Sequence, residues 1–279
     1  FMFAQLDTKS VYSFMDSVVD LNTYVKRAKE LGYQSIGLMD RDNLYAAYHF
    51  AQLAIRNGLR PLIGTEANLF YEGRKIPFRL LAKNNQGYKN LIKLATELSS
   101  GQREFTYFSD YLNDIALILP SEDWEPGMSL GSEVFIGVRP EDAGKEFDYP
   151  VVPLHTVRYF ENADRSTIQT LHAISQNVSL SEVSICPMNQ LLFSAKEMEE
   201  AYSKLPEALN NLNQLVSDVS YQFDTNLKLP RFNREMPAVD QLRQLAQSGL
   251  DSKALREPAY QERLDKELSI IHQMGFDDY

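Results

Sequence analysis

Ser35-Ile36-Gly37-Leu38-Met39-Asp40 and, further on, Leu62-Ile63-Gly64-Thr65-Glu66-Ala67 decide the fold. Each is an apolar run of strand length that ends on or near an acid, and such runs read as buried strands. Between them Asn43 to Asn57 carries helical spacing, with Gly58 where a helix stop belongs. Ahead of them Ala4-Gln5-Leu6 opens as a short strand. Leu21, Tyr24, Val25, Ala28 and Leu31 then recur at helical spacing up to Gly32. Beyond them, Phe78 to Lys83 reads as a fourth strand, and a helix follows from about Gln86 to Leu98. Ile115 to Leu119, Val134 to Val138 and Val151 to Val157 are further runs of strand length, before a helix over Ala163 to Ile174. Strand–helix units in series predict a parallel sheet with helices outside. Short strands with polar residues at their C-terminal ends predict a barrel whose chemistry sits at those ends.

After about residue 195 the pattern changes. Met198, Ala201, Tyr202 and Leu205 mark one helix, and Leu209, Leu212 and Val216 another. Leu229-Pro230-Arg231-Phe232 is an extended break. Charged helices follow near Val239 to Leu250 and Tyr260 to Met274, the last stopped by Gly275. A domain seldom ends on an aromatic and two acids just after a helix stop, so the reading expects truncation. The residue ahead of Met2 reads as a tag remnant.

Composition sets outer bounds. The 279 residues suit one large α/β domain, or one domain with an appendage. Cys186 is the only cysteine, so no internal disulfide can form, and a reducing, cytosolic setting is the simple reading. Phe1-Met2-Phe3 opens no signal peptide, and no apolar run approaches the roughly 20 residues that a membrane span needs. The net charge of −10, from 28 basic and 38 acidic residues, argues against tight DNA binding by this fragment alone.

His49, His155, His172 and His272 form no metal-ligand pattern. His49 and His172 fall inside helices, where packing or surface roles are expected, and only His155 lies on a strand near the predicted mouth. Cys186, before Pro187 and without a histidine beside it, reads as an inert thiol. No phosphate-binding glycine loop or nucleophile elbow is present. The informative set is Asp7, Lys9, Asp16, Asp40, Arg41, Glu66 and Arg158. Each falls at or just after the end of a predicted strand, so a closed barrel brings these acids and bases to one mouth.

At these residues the chain resembles the PHP (polymerase and histidinol phosphatase) domain of bacterial DNA polymerase III alpha subunits, nearly end to end. The stretch Phe3 to Asp16 resembles the family's opening F-V-H-L-H-V-H-S-E-Y-S-L-L-D. Ala28 to Gly32 matches A-K-E-L-G, and Leu38 to Leu44 resembles I-T-D-H-G-N-L. Arg60 to Glu66 resembles K-P-I-I-G-x-E. Leu80 to Asn84 with Gly87, Tyr88, Asn90 and Leu91 resembles L-L-A-K-N-x-x-G-Y-x-N-L, and Thr156 to Tyr159 resembles D-V-H-Y. Leu205 to Leu209 and Leu229 to Phe232 also fit. Glu267 to Ile271 with Met274, Gly275 and Phe276 looks like the helix leading into the polymerase palm.

The resemblance implies a distorted (β/α)7 TIM-like PHP barrel over residues 1–225. A linker and the first, truncated helices of the palm region would follow over 226–279. Relatives with a working PHP site hold metals and are associated with 3′–5′ exonuclease activity. Here the departures fall on the ligands. Asp7 and Lys9 stand for the H-x-H pair, Arg41 for the histidine after T-D, and Thr156 and Arg158 for the D-x-H pair. Pro77 stands where a central histidine would be. Asp16 and Glu66 remain ligand-like, and Asp40 keeps the acid of T-D. Protonated Lys and Arg side chains offer no lone pair to a metal, so the expectation is that Lys9, Arg41 and Arg158 pair with Asp7, Asp16 and Glu66.

By resemblance the parent is a DNA-directed DNA polymerase using Mg²⁺, with primer-template DNA and holoenzyme subunits as partners. This fragment would be a cytoplasmic scaffold packed against the palm and thumb, without a metal, a membrane contact or catalytic residues of its own. Two alternatives stand beside that reading. One is a residual phosphoesterase or exonuclease using Asp7, Asp16 and Glu66 with one hard cation. The other is a barrel that binds a small anion through Lys9, Arg41 and Arg158.

Overall fold

The computed structural model describes residues 2–131, 133–226 and 230–279. The chain divides into two compact units, Phe1–Gln222 and Phe223–Tyr279.

The first unit is the barrel. Strand β1 (Asp7–Thr8) precedes helix α1 (Leu21–Glu30), whose N-cap Asp20 accepts the Thr23 N–H and whose buried face is Leu21, Tyr24, Val25 and Ala28. Strand β2 (Ser35–Arg41) leads to α2 (Ala47–Arg56). That helix starts four residues later than the periodicity predicts. Asn43 turns its amide onto the Tyr12 and Arg41 carbonyls and accepts the Tyr45 N–H, while Asp42 takes a positive φ of 54°. These local bonds compete with a helical start.

Strands β3 (Arg60–Tyr71) and β4 (Arg74–Ala82) are both longer than the apolar runs suggest. They form a hairpin turned at Glu72-Gly73, both at positive φ, as a two-residue turn of matching twist requires. A two-residue loop cannot carry a crossover, so β4 runs antiparallel to β3 and to the next strand. The expectation of a wholly parallel sheet is therefore corrected at this one strand. Helix α3 (Asn85–Ser99), capped by the Asn84 side chain, leads on to β5 (Ile115–Pro120) and β6 (Val134–Val138).

The expected single strand over Val151 to Val157 appears as two pieces, β7 (Val151–Pro153) and β8 (Thr156–Val157). The strand order is β2-β3-β4-β5-β6-β7, with β8 paired to β1. Gln5 bridges to Ile36, and the Gly37 N–H donates to the Gln5 carbonyl at 2.6 Å, which seats β1 beside β2. The stretch from 151 to 157 thus lines β6 with its first half and β1 with its second, and the sheet curls into a distorted seven-membered barrel. The fold is mixed α/β, with a curled, barrel-like sheet and helices around it. Helix α4 (Asp164–Gln176), α5 (Ala195–Ala201) and α6 (Pro206–Ser217) complete the unit. Ser194 and Glu197 form a reciprocal capping box at the start of α5.

The second unit carries α7 (Ala238–Ser252), which has no buried residue, and α8 (Pro258–Gln273), which buries Leu268. Leu229, the first residue of the predicted break, lies outside the described residues. Among the described residues no helix is long and apolar enough to cross a membrane.

Gly37 sits where β1 approaches β2 most closely, and a Cβ there would overlap the Leu6 carbonyl. Backbone cannot yield as a side-chain tip can. We therefore expect Gly37→Ala to destabilise the barrel by about 1–3 kcal/mol, read as a lowered Tm in thermal unfolding followed by circular dichroism.

Candidate functional site

Side chains on a strand alternate between faces, so Gln5, Asp7 and Lys9 share one face of β1. Register then sets their neighbours: Asp7 lies beside Thr156, Arg41 beside Glu66, and Glu66 across from Arg79. The result is two separate groups of charge.

The first group is buried. Lys9 Nζ lies 2.5 Å from Asp7 Oδ1 and 2.9 Å from Glu66 Oε2, and donates to the Met39 carbonyl at 2.8 Å. The Lys9 and Asp7 side chains are both 0% exposed. Arg79 Nε pairs with Asp7 Oδ2 at 2.9 Å, and its Nη2 lies 3.6 Å from Glu66 Oε2. Thr156 donates its hydroxyl to Asp7 Oδ2 at 2.6 Å. Two carboxylates and two cations thus balance within one cluster. Burial pushes the Asp7 carboxyl up, but Arg79 and Lys9 outweigh it and hold it well below the usual carboxylate range. Glu66 is also pushed up by burial, yet Lys9 and Arg79 bring it down to about 2.

The second group surrounds Asp16. His172 Nε2 lies 2.7 Å from Asp16 Oδ1, and Arg158 Nε lies 3.3 Å from Oδ2. Arg41 Nη1 lies 3.6 Å from the same oxygen. Arg158 also donates to Gln190 Oε1, and Arg41 to the Phe14 carbonyl at 3.1 Å.

Asp40 joins neither group. It accepts from the Ser10 N–H and hydroxyl, both at 2.7 Å, and from the Ser13 hydroxyl at 2.8 Å. Burial raises its pKa against those bonds. Asp40 thereby pins the loop after β1 to the end of β2.

Sequence reasoning missed two residues. Arg79 is the larger omission. Its signal was the Glu72-Gly73 turn: counting equally outward from the Tyr71–Arg74 pair places Arg79 opposite Glu66. His172 is corrected from a packing or surface role to a partner of Asp16, and one helical position carries no signal for that. His155 instead turns its Nε2 to the Leu191 carbonyl at 2.9 Å. Pro77 contributes only its carbonyl, which accepts from Arg79. Lys9, fully enclosed, cannot face an incoming anion, which corrects its place in the anion-binding alternative. Among the described residues no group of three His, Cys, Asp or Glu side chains is arranged to hold a metal ion.

We expect Lys9→Met, which strands Asp7 and Glu66 against Arg79 alone, to cost about 3–5 kcal/mol in urea unfolding. Acid gives a second check. A carboxyl depressed in the folded state contributes fully above its unfolded value, 4.5 for Glu66, and loses that contribution as pH falls toward about 2. Stability should fall on the order of 3 kcal/mol over that window for this group, and the loss should be shallower in Glu66→Gln.

Comparisons with known proteins agree with the barrel. Residues 5–125 match the family described as PHP domain. The chain is 46% identical over 281 residues to DNA polymerase III subunit alpha of Streptococcus pyogenes serotype M1, covering 100% of this chain and 27% of that one. It is 28% identical over 321 residues to DNA polymerase III subunit alpha of Bacillus subtilis, covering 99% of this chain and 29% of that one. Among solved structures, one assigned as a metal-dependent phosphoesterase from Bifidobacterium adolescentis shares 18% identity at a TM-score of 0.31, over 35% of this chain and 33% of that one. The chain is thus similar to the PHP domain family over residues 5–125 and to DNA polymerase III alpha subunits along its whole length, and it spans about 27% of the length of the curated relatives it matches.

Proposed function

We propose that this PHP domain is a structural scaffold whose ancestral metal site has been replaced by internal ion pairs. The carrying observation is Lys9, whose ammonium lies within 3 Å of both Asp7 and Glu66. In that position it supplies the positive charge that a metal would otherwise bring. The residues present do not fit a divalent ion. Asp7 and Glu66 are committed to Lys9 and Arg79, Asp16 is committed to Arg41, Arg158 and His172, and two fixed cations in the cluster repel a third. Asp7, Lys9, Asp16, Asp40, Arg41, Glu66, Thr156 and Arg158 are on this reading the degenerate PHP positions. No observation favours the residual phosphoesterase or exonuclease, since its three carboxylates are divided between separate sets of partners.

On the same reading the full-length parent is a cytoplasmic, Mg²⁺-using DNA-directed DNA polymerase acting on primer-template DNA within a replicative holoenzyme. Its catalytic residues lie outside this chain. The unit Phe223–Tyr279 would supply the linker and first helices toward the palm, and the barrel would pack against palm and thumb. The identity to polymerase alpha subunits along the whole chain supports this.

Elemental mass spectrometry on protein purified without chelator, with a phosphodiester hydrolysis assay in added Mn²⁺, tests the proposal. The expected outcome is metal far below one ion per chain and no hydrolysis. Near-stoichiometric metal, with hydrolysis abolished by Asp16→Ala or Glu66→Ala, would overturn it.

A further inference from the structure

The loops that follow β1 and β2 leave large side chains in solvent beside the Asp16 group. Phe14 is 60% exposed and Tyr45 70%, with Tyr12 and Met15 also exposed. The rings of Tyr12 and Phe14 lie 6.3 Å apart, and those of Phe14 and Tyr45 6.4 Å apart, so the three make one patch. Arg41 ties that patch to the charged group, donating to the Phe14 carbonyl while its own side chain stays 43% exposed. A guanidinium carries five N–H donors, and Arg41 spends few of them on Asp16. Two arginines share this single carboxylate, which leaves the group with more fixed positive than negative charge.

Exposed apolar patches rimmed by polar groups mark interaction surfaces. The residue types select the partner. Tyr, Phe, Met and Arg are those enriched at protein–protein contacts, and Lys is depleted there. A nucleic-acid strand presents a phosphate at every nucleotide and is tracked by rows of cations. This rim offers two arginines, both already shared with Asp16, on a chain of net charge −10. We infer that the aromatic and arginine rim around Phe14, Tyr45 and Arg41 is a docking surface for a protein segment that presents a carboxylate next to aromatic or aliphatic side chains. The ring patch would cover the apolar groups, and Arg41 and Arg158 would take the carboxylate. The rim is a distinct surface from the buried Lys9 cluster, so its use does not depend on whether that cluster holds a metal.

The test is fluorescence anisotropy with a short labelled peptide of alternating Asp and Phe or Leu. Its counterpart with Asn in place of Asp and a dT oligonucleotide of similar length are run beside it. The acidic peptide should bind, and Phe14→Ala and Arg41→Ala should each weaken it at least about tenfold. Tyr107→Ala, which removes an exposed ring elsewhere, should leave binding unchanged, and all three variants should keep the parent Tm. The Asn peptide should bind markedly less. Tighter binding of the oligonucleotide, equal binding of the Asn peptide, or no binding by the acidic peptide would each overturn the inference.

Discussion

The four charges of Asp7, Lys9, Glu66 and Arg79 tie β1, β3 and β4 together inside the barrel. Each belongs to a strand or strand end that the sheet brings together, and none can be removed without leaving a counter-charge out of water. Such a cluster adds little stability over a hydrophobic core of equal volume. What it adds here is definition. A slip of one residue in β3 against β4 would turn Glu66 or Arg79 away from the interior. The charges therefore hold the hairpin register as firmly as they hold one another.

The two charged groups differ in kind. The inner one is neutral and sealed, and its low carboxyl pKa values follow from cations packed at contact distance. The outer one is unbalanced and partly wet, with a single acid among three bases. Asp40, held by serine hydroxyls and a backbone N–H, separates them by fixing the loop that carries Ser10 and Ser13. On the proposed scaffold reading, the inner group spends its carboxylates on cations inside the barrel, and the outer one turns its arginines toward the surface.

The strands of the barrel are legible in the sequence because apolar runs are local signals, but the charged residues divide into two groups rather than meeting at the single mouth that the strand ends suggest. Val134 to Val138 matches its strand at both ends. The direction of β4 was not legible from hydrophobicity alone, since an antiparallel buried strand is as apolar as a parallel one. Only the Glu72-Gly73 turn reports it. The pairing of cations with acids was foreseen as chemistry but not as a map. Lys9 pairs with Asp7 and Glu66, Arg41 and Arg158 pair with Asp16, and Arg79 reaches Asp7 from β4, which runs against its neighbours. His172 reaches Asp16 across 156 residues of sequence, and no spacing rule spans that distance.

The strand from 151 to 157 has a consequence in time. It joins Asp7 to Thr156, 149 residues apart, and through them closes the ring. Contacts of such separation form late, since the chain's loop entropy must be overcome first. On a ribosome, at roughly 5–20 residues per second, β1 would wait on the order of ten seconds for its second neighbour to be synthesised. During that wait its edge is open, and an open edge invites pairing with other chains. The charged pair Asp7 and Lys9 at that edge makes it a poor template for a stranger, so the residues that lock the finished barrel also guard the unfinished one.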